Sequence, residues 1–187
     1  MMTGTSMAAP NITGAIALIK QKHPDWSPAE IRAALTSTAR LIEDRQNRIV
    51  TPLAQGSGLV DIDKALKAEI LPLMNNLSFE LLKSHTGTQT ITQHLKIKNV
   101  SNLTQTFTTK NQLLEGKATV HMPDSITIPA HETVVVPVKL KVNTSLVMNK
   151  HIGIIQLTKE KEQINIPYIA LVSSKDGCVA SPSSHPC

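Results

Sequence analysis

Aromatic side chains are scarce in this chain, at 2% of its 187 residues. Proteins that bind single-stranded nucleic acids stack the bases on aromatic rings in a basic groove. The chain is basic, with a net charge of +5, but its lysines and arginines are scattered, and several alternate with apolar residues as in half-exposed strands. We therefore expect no nucleic-acid partner.

Long hydrophobic runs are missing as well. No apolar run approaches the roughly 18 residues that a membrane-spanning helix requires, so we expect no membrane span. The first three residues, MMT, lack the charged and apolar regions of a signal peptide. We expect that the chain as written carries no export signal.

Cysteines are few, and both lie close to the carboxyl end. Cys178 and Cys187 fall in a segment rich in serine, proline and glycine, which we predict to be a flexible tail over residues 173–187. A disulfide between them would close a short loop and would stabilise mainly local order. Two free thiols fit the sequence equally well, so the redox compartment stays open.

No metal or cofactor motif is complete. His131 and Glu132 begin a pattern found in zinc peptidases, but Val135 stands where the second histidine is required, and that motif lies on a helix. Residues 56–58 (GSG) lack the third glycine and the preceding strand of a dinucleotide-binding loop. We therefore expect neither a metal site nor a cofactor in this chain.

The chain does contain a helical pattern over residues 6–68. In the first segment, one apolar face is marked at the spacing i, i+3, i+4 and i+7 by Ile12, Ala15, Ile16 and Ile19. Leu18 widens this face, and Pro24 ends the helix. Gly14 in mid-helix costs about 1 kcal/mol relative to alanine, which suggests that another element packs closely against it.

The next helix has a clear start signal. Residues 27–30 (SPAE) form a capping box with proline at the first helical position. Trp26 and Ile31 have the spacing of the hydrophobic staple that accompanies such a box. Farther along, Asp61 is placed to cap a short third helix.

The spacing of the apolar residues changes from a helical to a strand period near residue 77. Turn residues then recur at intervals of about 8 to 12 residues. The runs between them are alternating or β-branched, at 77–82, 90–98, 104–109, 118–122, 125–128, 133–142, 153–158 and 163–171. This pattern predicts an antiparallel β-sandwich over residues 77–172. The predicted fold class is α+β, with a helical region at residues 1–70 before the sandwich.

Residues 4–10 (GTSMAAP) place a serine directly before the apolar helix. At a helix start, free N–H groups and the positive end of the helix dipole favour negative charge beside the serine oxygen. An acyl-transfer oxyanion forms at such a position. The hydroxyl of Ser6 would still need a base, usually a histidine held by a carboxylate. Ser6 could instead serve only as the N-cap of the helix.

The segment at residues 4–10 resembles the nucleophile motif of the subtilisin-like serine peptidases, or subtilases. Residues 26–35 (WSPAEIRAAL) and 56–61 (GSGLVD) resemble later elements of the same domain, in the same order. Asn11 and Asp61 stand where many members carry histidine and asparagine. Neither position belongs to the catalytic triad, so these departures concern packing.

The resemblance implies a role for Ser6 and shows what this sequence does not contain. Ser6 would be the nucleophile, its own N–H would be an oxyanion donor, and residues 1–70 would be the carboxy-terminal remnant of an α/β peptidase domain. In subtilases the aspartate and histidine precede the serine, so both, together with the oxyanion asparagine, would lie before Met1. None of the seven histidines is followed by glycine as in the family's His-Gly-Thr segment; they are His23, His85, His94, His121, His131, His151 and His185. We therefore expect this chain alone to be proteolytically inactive.

Residues 77–172 resemble, more loosely, the fibronectin type III-like domain that follows the catalytic domain in larger secreted subtilases. The likeness is carried by residues 95–99 (LKIKN), 128–134 (IPAHETV) and 166–168 (IPY). It implies a secreted or cell-surface parent protein that acts on proteins or peptides. A full-length parent could also bind calcium, as subtilases often do.

A function of another class stays open. The chain could be a non-catalytic binding or interaction module, in which the sandwich is the working part and Ser6 is a relic. A second copy of the chain is a further candidate partner. The helix around residues 12–19 would pack inside a parallel sheet in a subtilase, and without that sheet its apolar face is available for self-association.

Overall fold

The computed structural model describes residues 4–74, 76–83, 87–143, 149–160 and 162–173. Of the predicted flexible tail at 173–187, the structure describes only Ser173, which ends the last strand, so the prediction is wrong at that residue; Cys178 and Cys187 lie outside the described residues. Within them the chain forms four helices followed by nine strands. The helices are α1 (Thr5–Lys22), α2 (Pro28–Ser37), α3 (Pro52–Gln55) and α4 (Ile62–Leu66). The strands are β1 (Ile70–Pro72), β2 (Leu77–Lys83), β3 (Thr88–Asn99), β4 (Gln105–Glu115), β5 (Ala118–His121), β6 (Ser125–Ile128), β7 (Thr133–Asn143), β8 (Asn149–Lys159) and β9 (Glu162–Ser173).

The strands form two sheets. One sheet has the order β1-β3-β7-β5, and the other has the order β2-β9-β8-β4-β6. Neighbouring strands are antiparallel except for β2 and β9, which run parallel. The prediction of an antiparallel sandwich is therefore wrong at this pair. Parallel neighbours need a long connection, and β3 to β8 provide it because they all lie between β2 and β9 in the chain.

The two sheets enclose a common apolar core. Every second residue of β7 from Val136 to Val142 is buried, as expected for a strand with one face inward. Phe79 and Tyr168 meet edge to face, with ring centroids 6.3 Å apart. Further fully buried members come from both sheets: Leu95, Ile97, Leu140, Phe107, Ile155 and Ile166. The alternation in the sequence thus corresponds to the inward and outward faces of the sheets.

A second apolar core lies among the helices. Ala15 and Ile19 of α1 are buried there together with Trp26 and Ile31. Leu71 of β1 belongs to the same core and is fully buried. A strand of the first sheet therefore completes the core of the helical region, and the two regions are in contact.

The start of α2 is built as the sequence predicts. Ser27 Oγ accepts a hydrogen bond from the Glu30 N–H at 3.3 Å, and the Glu30 carboxylate accepts one from the Ser27 N–H at 2.7 Å. Pro28 is the first residue of the helix. This reciprocal pair satisfies two amide donors that the helix itself cannot bond.

Gly153 in β8 is required by a close approach of neighbouring strands. A Cβ at this position would lie 2.6 Å from the carbonyl oxygen of Gln112 and closer still to the ring of Tyr168.

We expect Gly153→Ala to destabilise the fold by about 1–3 kcal/mol through overpacking, measured by urea unfolding. The penalty should shrink in a Tyr168→Leu background, which removes the ring, and an unchanged penalty would contradict this explanation.

His151 makes stability depend on pH. It is 1% exposed, its Nδ1 accepts a hydrogen bond from the Lys117 N–H at 3.0 Å, and its Nε2 has no partner among the described residues. Burial lowers the pKa of His151 below its ordinary value. The unfolded chain therefore binds the proton more tightly, so stability is complete above about pH 6.5 and is lost as the pH falls through the lower pKa of the folded protein.

Unfolding free energies measured between pH 5 and pH 8 should show this loss in the native chain. The His151→Gln variant lacks the titrating imidazole, so its unfolding free energy should change less between pH 5 and pH 8. Parallel profiles for the two proteins would exclude His151 as the cause.

Candidate active site

Ser6 is exposed in the first turn of α1, where it is the second helical residue. Gly4 is the N-cap, with φ of 148°, a backbone conformation that L side chains rarely adopt. No side chain caps this helix start. The alternative in which Ser6 is the N-cap is therefore wrong, and glycine at position 4 is explained by the backbone that precedes the serine.

The backbone around Ser6 is open at a helix start. The N–H groups of Met7 and Ala8 donate to the Gly4 carbonyl at 3.0 and 3.3 Å. The Ser6 N–H belongs to the first turn, whose amides have no earlier helical carbonyl to bond. Pro10 has no N–H, so it cannot supply the usual hydrogen bond to the Ser6 carbonyl four residues earlier. This end of the helix therefore offers an amide donor and a positive dipole beside the hydroxyl.

His23 cannot serve as the base for Ser6. It follows the opposite end of α1, and 17 residues of helix at 1.5 Å each place it roughly 25 Å away. Its Nε2 contacts the Leu66 carbonyl at 3.0 Å, and its ring stacks on Trp26 with centroids 3.9 Å apart. His23 thus has a structural role where α1 meets α4.

The other described histidines are in or beside the strands. His131 Nε2 hydrogen-bonds Asn102 Oδ1 at 2.8 Å, and His151 bonds the Lys117 amide. His94 and His121 are exposed on β3 and β5. His85 and His185 lie outside the described residues. The hydrogen bonds of the described chain thus include none that joins Ser6 to a histidine.

Exposed apolar side chains lie on two sides of α1. Successive helical residues are rotated by about 100°, so the buried stripe of Ala15 and Ile19 has a flank on either side. The exposed apolar residues are Ile12 (38%) and Ile16 (40%) on one flank, and Met7 (45%) and Leu18 (48%) on the other. A soluble helix normally buries its apolar stripe against the core and is polar elsewhere, so apolar side chains on both flanks mark a surface that further packing would cover. In the described part of the chain, no helix has the length and apolar character needed to cross a membrane.

The flank with Ile12 and Ile16 borders an open groove between α1 and α2. The groove has a volume of about 700 Å³, and Ile31 and Leu35 of α2 line its other side. Val60 also lines the groove. Its lining is mostly apolar, which is the surface that an additional packed element would cover.

Gly14 lies on the other flank, with Met7 and Leu18. Apart from its own helix, a Cβ at Gly14 would have no heavy atom within 4 Å. The close neighbour that the sequence suggests is therefore not supplied by the described residues. Around the helix that carries Ser6, the chain leaves one groove and one open flank.

The chain's first third is similar to a family of known peptidases. Residues 1–64 match the sequence model of the subtilase family. The matched segment holds Ser6, α1, α2 and the turn before α4, which together form the site described above.

Relatives matching over more of the chain are subtilisin-like proteases. The minor extracellular protease Vpr of Bacillus subtilis (strain 168) is 34% identical over 141 residues, which cover 75% of this chain and 18% of that protein. The subtilisin-like protease SBT3.5 of Arabidopsis thaliana is 34% identical over 140 residues, covering 69% of this chain and 17% of that protein. Matches of this length extend beyond the helical region into the strands. The chain spans less than a fifth of the length of these relatives.

The chain is also similar, over part of its length, to solved structures. A FixG-related protein from Vibrio parahaemolyticus covers 46% of this chain at 13% identity with a TM-score of 0.37, and 94% of that structure is matched. The similarity to subtilases is therefore one of sequence, and the matched residues include the exposed serine at the helix start. Among the described residues, no group of three His, Cys, Asp or Glu side chains could hold a metal ion.

We expect the purified chain to show no peptidase activity, because Ser6 has no histidine bonded to it in the described structure. Loss of a triad member costs about a millionfold in rate. A fluorophosphonate that labels activated serines should react with the native chain no faster than with Ser6→Ala. Rapid labelling that disappears in Ser6→Ala would contradict this prediction.

Proposed function

We propose that this chain is the carboxy-terminal part of a subtilisin-like serine endopeptidase, with Ser6 as its nucleophile. The observation that carries the proposal is α1 itself: it presents the serine in its first turn and is apolar on both flanks, one beside an open groove. Such a helix requires packed neighbours. In the proposed enzyme these neighbours are the parts of the peptidase domain that carry the aspartate, the histidine and the oxyanion asparagine.

The chemistry follows from the position of Ser6. Its Oγ attacks the carbonyl carbon of a peptide bond while the histidine of the other part takes the hydroxyl proton. The oxyanion is held by the Ser6 N–H and the asparagine side chain at the positive end of α1. The histidine then gives the proton to the departing amine, and water releases the acyl group from Ser6 by the reverse sequence. Without the histidine the first step fails, so this chain alone is inactive.

We assign residues 1–70 to the peptidase domain and residues 77–172 to a fibronectin type III-like domain. The two sheets with a shared core support this assignment, and the parallel β2–β9 pair is a departure from an all-antiparallel sandwich. The name of the Bacillus subtilis relative supports a secreted parent. Protein or peptide substrates follow from the peptidase chemistry, and calcium binding remains a proposal for the parent protein alone.

The alternative is a non-catalytic interaction module that retains Ser6 as a relic. It draws on the absence of a hydrogen-bonded base at Ser6 in the described residues and on the uncovered apolar flanks, which could bind a second copy of the chain. The two functions differ in one testable respect: only the first requires that Ser6 becomes reactive when the rest of a peptidase domain is supplied.

A chimera tests this directly. The matched portion of the Bacillus subtilis protease is replaced by the present chain, so that the remainder of that protease can complete the domain. We expect fluorophosphonate labelling at Ser6 and hydrolysis of a peptide substrate, both abolished by Ser6→Ala. A chimera with cooperative thermal unfolding and no labelling at Ser6 would favour the interaction module.

The Gly14→Ala variant is a matched control, because we expect it to have opposite effects in the isolated chain and in the chimera. In the isolated chain the space around Gly14 is open, so alanine should raise stability by about 1 kcal/mol through helix propensity. In the chimera a packed neighbour at Gly14 would be pushed away, and labelling should slow by about 100-fold if α1 is displaced by 1 Å. Stabilisation in both contexts would show that nothing packs at this flank.

A further inference from the structure

The carboxylate of Glu30 has a partner outside its own helix. One of its oxygens, Oε2, accepts hydrogen bonds from the Ser27 N–H and Oγ, both at 2.7 Å. The other, Oε1, lies 2.5 Å from Lys98 Nζ in β3. The Glu30 side chain is 11% exposed, so the carboxylate end of this ion pair is largely shielded from water. Burial alone would raise the pKa of Glu30, but the hydrogen bonds from Lys98 and Ser27 outweigh it and hold the pKa below its ordinary value.

Lys98 is well placed to hold this carboxylate. Its backbone pairs with Leu71 of β1 on one side and with Thr133 of β7 on the other. The lysine therefore comes from a strand held on both sides, and the position of its Cα is fixed by the sheet. Lys98 itself is 35% exposed at its side chain, and its charged end reaches the α2 cap.

Besides the ion pair, the helical region and the sheet share an apolar core. Leu71 of β1, which pairs with Lys98, is fully buried in the helical core with Ile31 of α2. Ala15 and Ile19 of α1 lie in that same core. A shift of α2 away from β1 would therefore loosen the packing that holds α1, the helix that carries Ser6.

We propose that Lys98 is a positioning residue: by pairing with Glu30 at the start of α2, it couples the sheet to α2 and, through the shared core, holds α1. The consequence for Ser6 rests on the proposed peptidase function. The coupling itself is a property of this chain and is measurable without any peptidase activity. The coupling means that the sheet helps to position the helix that carries Ser6, in addition to any binding role that the sheet has.

Hydrogen exchange on the full chain tests the coupling, with Lys98→Met as the main variant because methionine keeps most of the lysine stem. We expect amides of both α1 and α2 to exchange about fivefold faster, as the loss of an ion pair with one partly exposed partner predicts. Amides in the centre of β8 and β9 should keep their rates. Lys98→Arg, which keeps the charge and can reach a carboxylate, should restore protection in α1.

Two further variants make the test specific. Glu30→Gln can keep the capping box, since glutamine is accepted at this position, yet removes the ion pair, so it should reproduce the pattern of Lys98→Met in α1. Lys96→Met is the matched control: it lies on the same face of β3, is exposed, and has no side-chain partner shown within the described ranges. It should leave α1 unchanged.

The proposal is overturned if faster exchange is confined to the first turn of α2, because the ion pair would then act only on the cap. It is also overturned if Lys96→Met changes α1 as much as Lys98→Met does, or if Lys98→Arg fails to restore protection. A chimera that is inactive while these exchange results hold would count against the peptidase function and leave the coupling intact.

Discussion

Leu71 lies where the two regions of this molecule meet, and the rest of the structure depends on its burial. It is a residue of β1, whose backbone is paired with β3, and it is also a fully buried member of the core formed by α1 and α2. Apolar burial of this kind supplies most of the favourable free energy of folding. The helical core thus includes a strand of the sheet, and the ion pair between Glu30 and Lys98 lies next to this contact. The two regions therefore differ in secondary structure but share their packing.

The helical core is completed on one side only. Ala15 and Ile19 are covered, whereas Ile12, Ile16, Met7 and Leu18 remain about 40–50% exposed. Full burial of an aliphatic side chain is worth about 1.5–3 kcal/mol, so each half-exposed residue leaves on the order of 1 kcal/mol that further packing could supply. In the proposed peptidase, these flanks are the surface that the remainder of the domain covers.

Local signals in the sequence were sufficient for much of the fold. The capping box at Ser27 and Glu30 is confirmed because its hydrogen bonds join residues three positions apart. The alternation in β7 identified its buried face because the period of a strand is fixed by its backbone. By contrast, β1 and α3 are too short to show a period, and the parallel pairing of β2 with β9 depends on residues about 90 positions apart.

The sequence was sufficient to predict the serine motif of the site. It was not sufficient to predict the contacts around that motif. The segment around Ser6 indicated a serine at a helix start, and the structure places it there, with Gly4 rather than Ser6 as the cap. The pairing of Glu30 with Lys98 joins residues 68 positions apart, and no local pattern marks it. The close packing expected at Gly14 is missing from the described residues, since it depends on what lies against α1 in the whole protein.

The proposed function requires that both flanks of α1 are covered in the complete peptidase. It is tested most directly by the rate at which a thiol reagent reacts with cysteine placed at Ile16 or at Leu18, one on each flank, with Cys178 and Cys187 replaced by serine. We expect fast reaction at both positions in the isolated chain and strong protection at both in the chimera with the Bacillus subtilis protease. Equal rates in the two proteins, at either position, would contradict it.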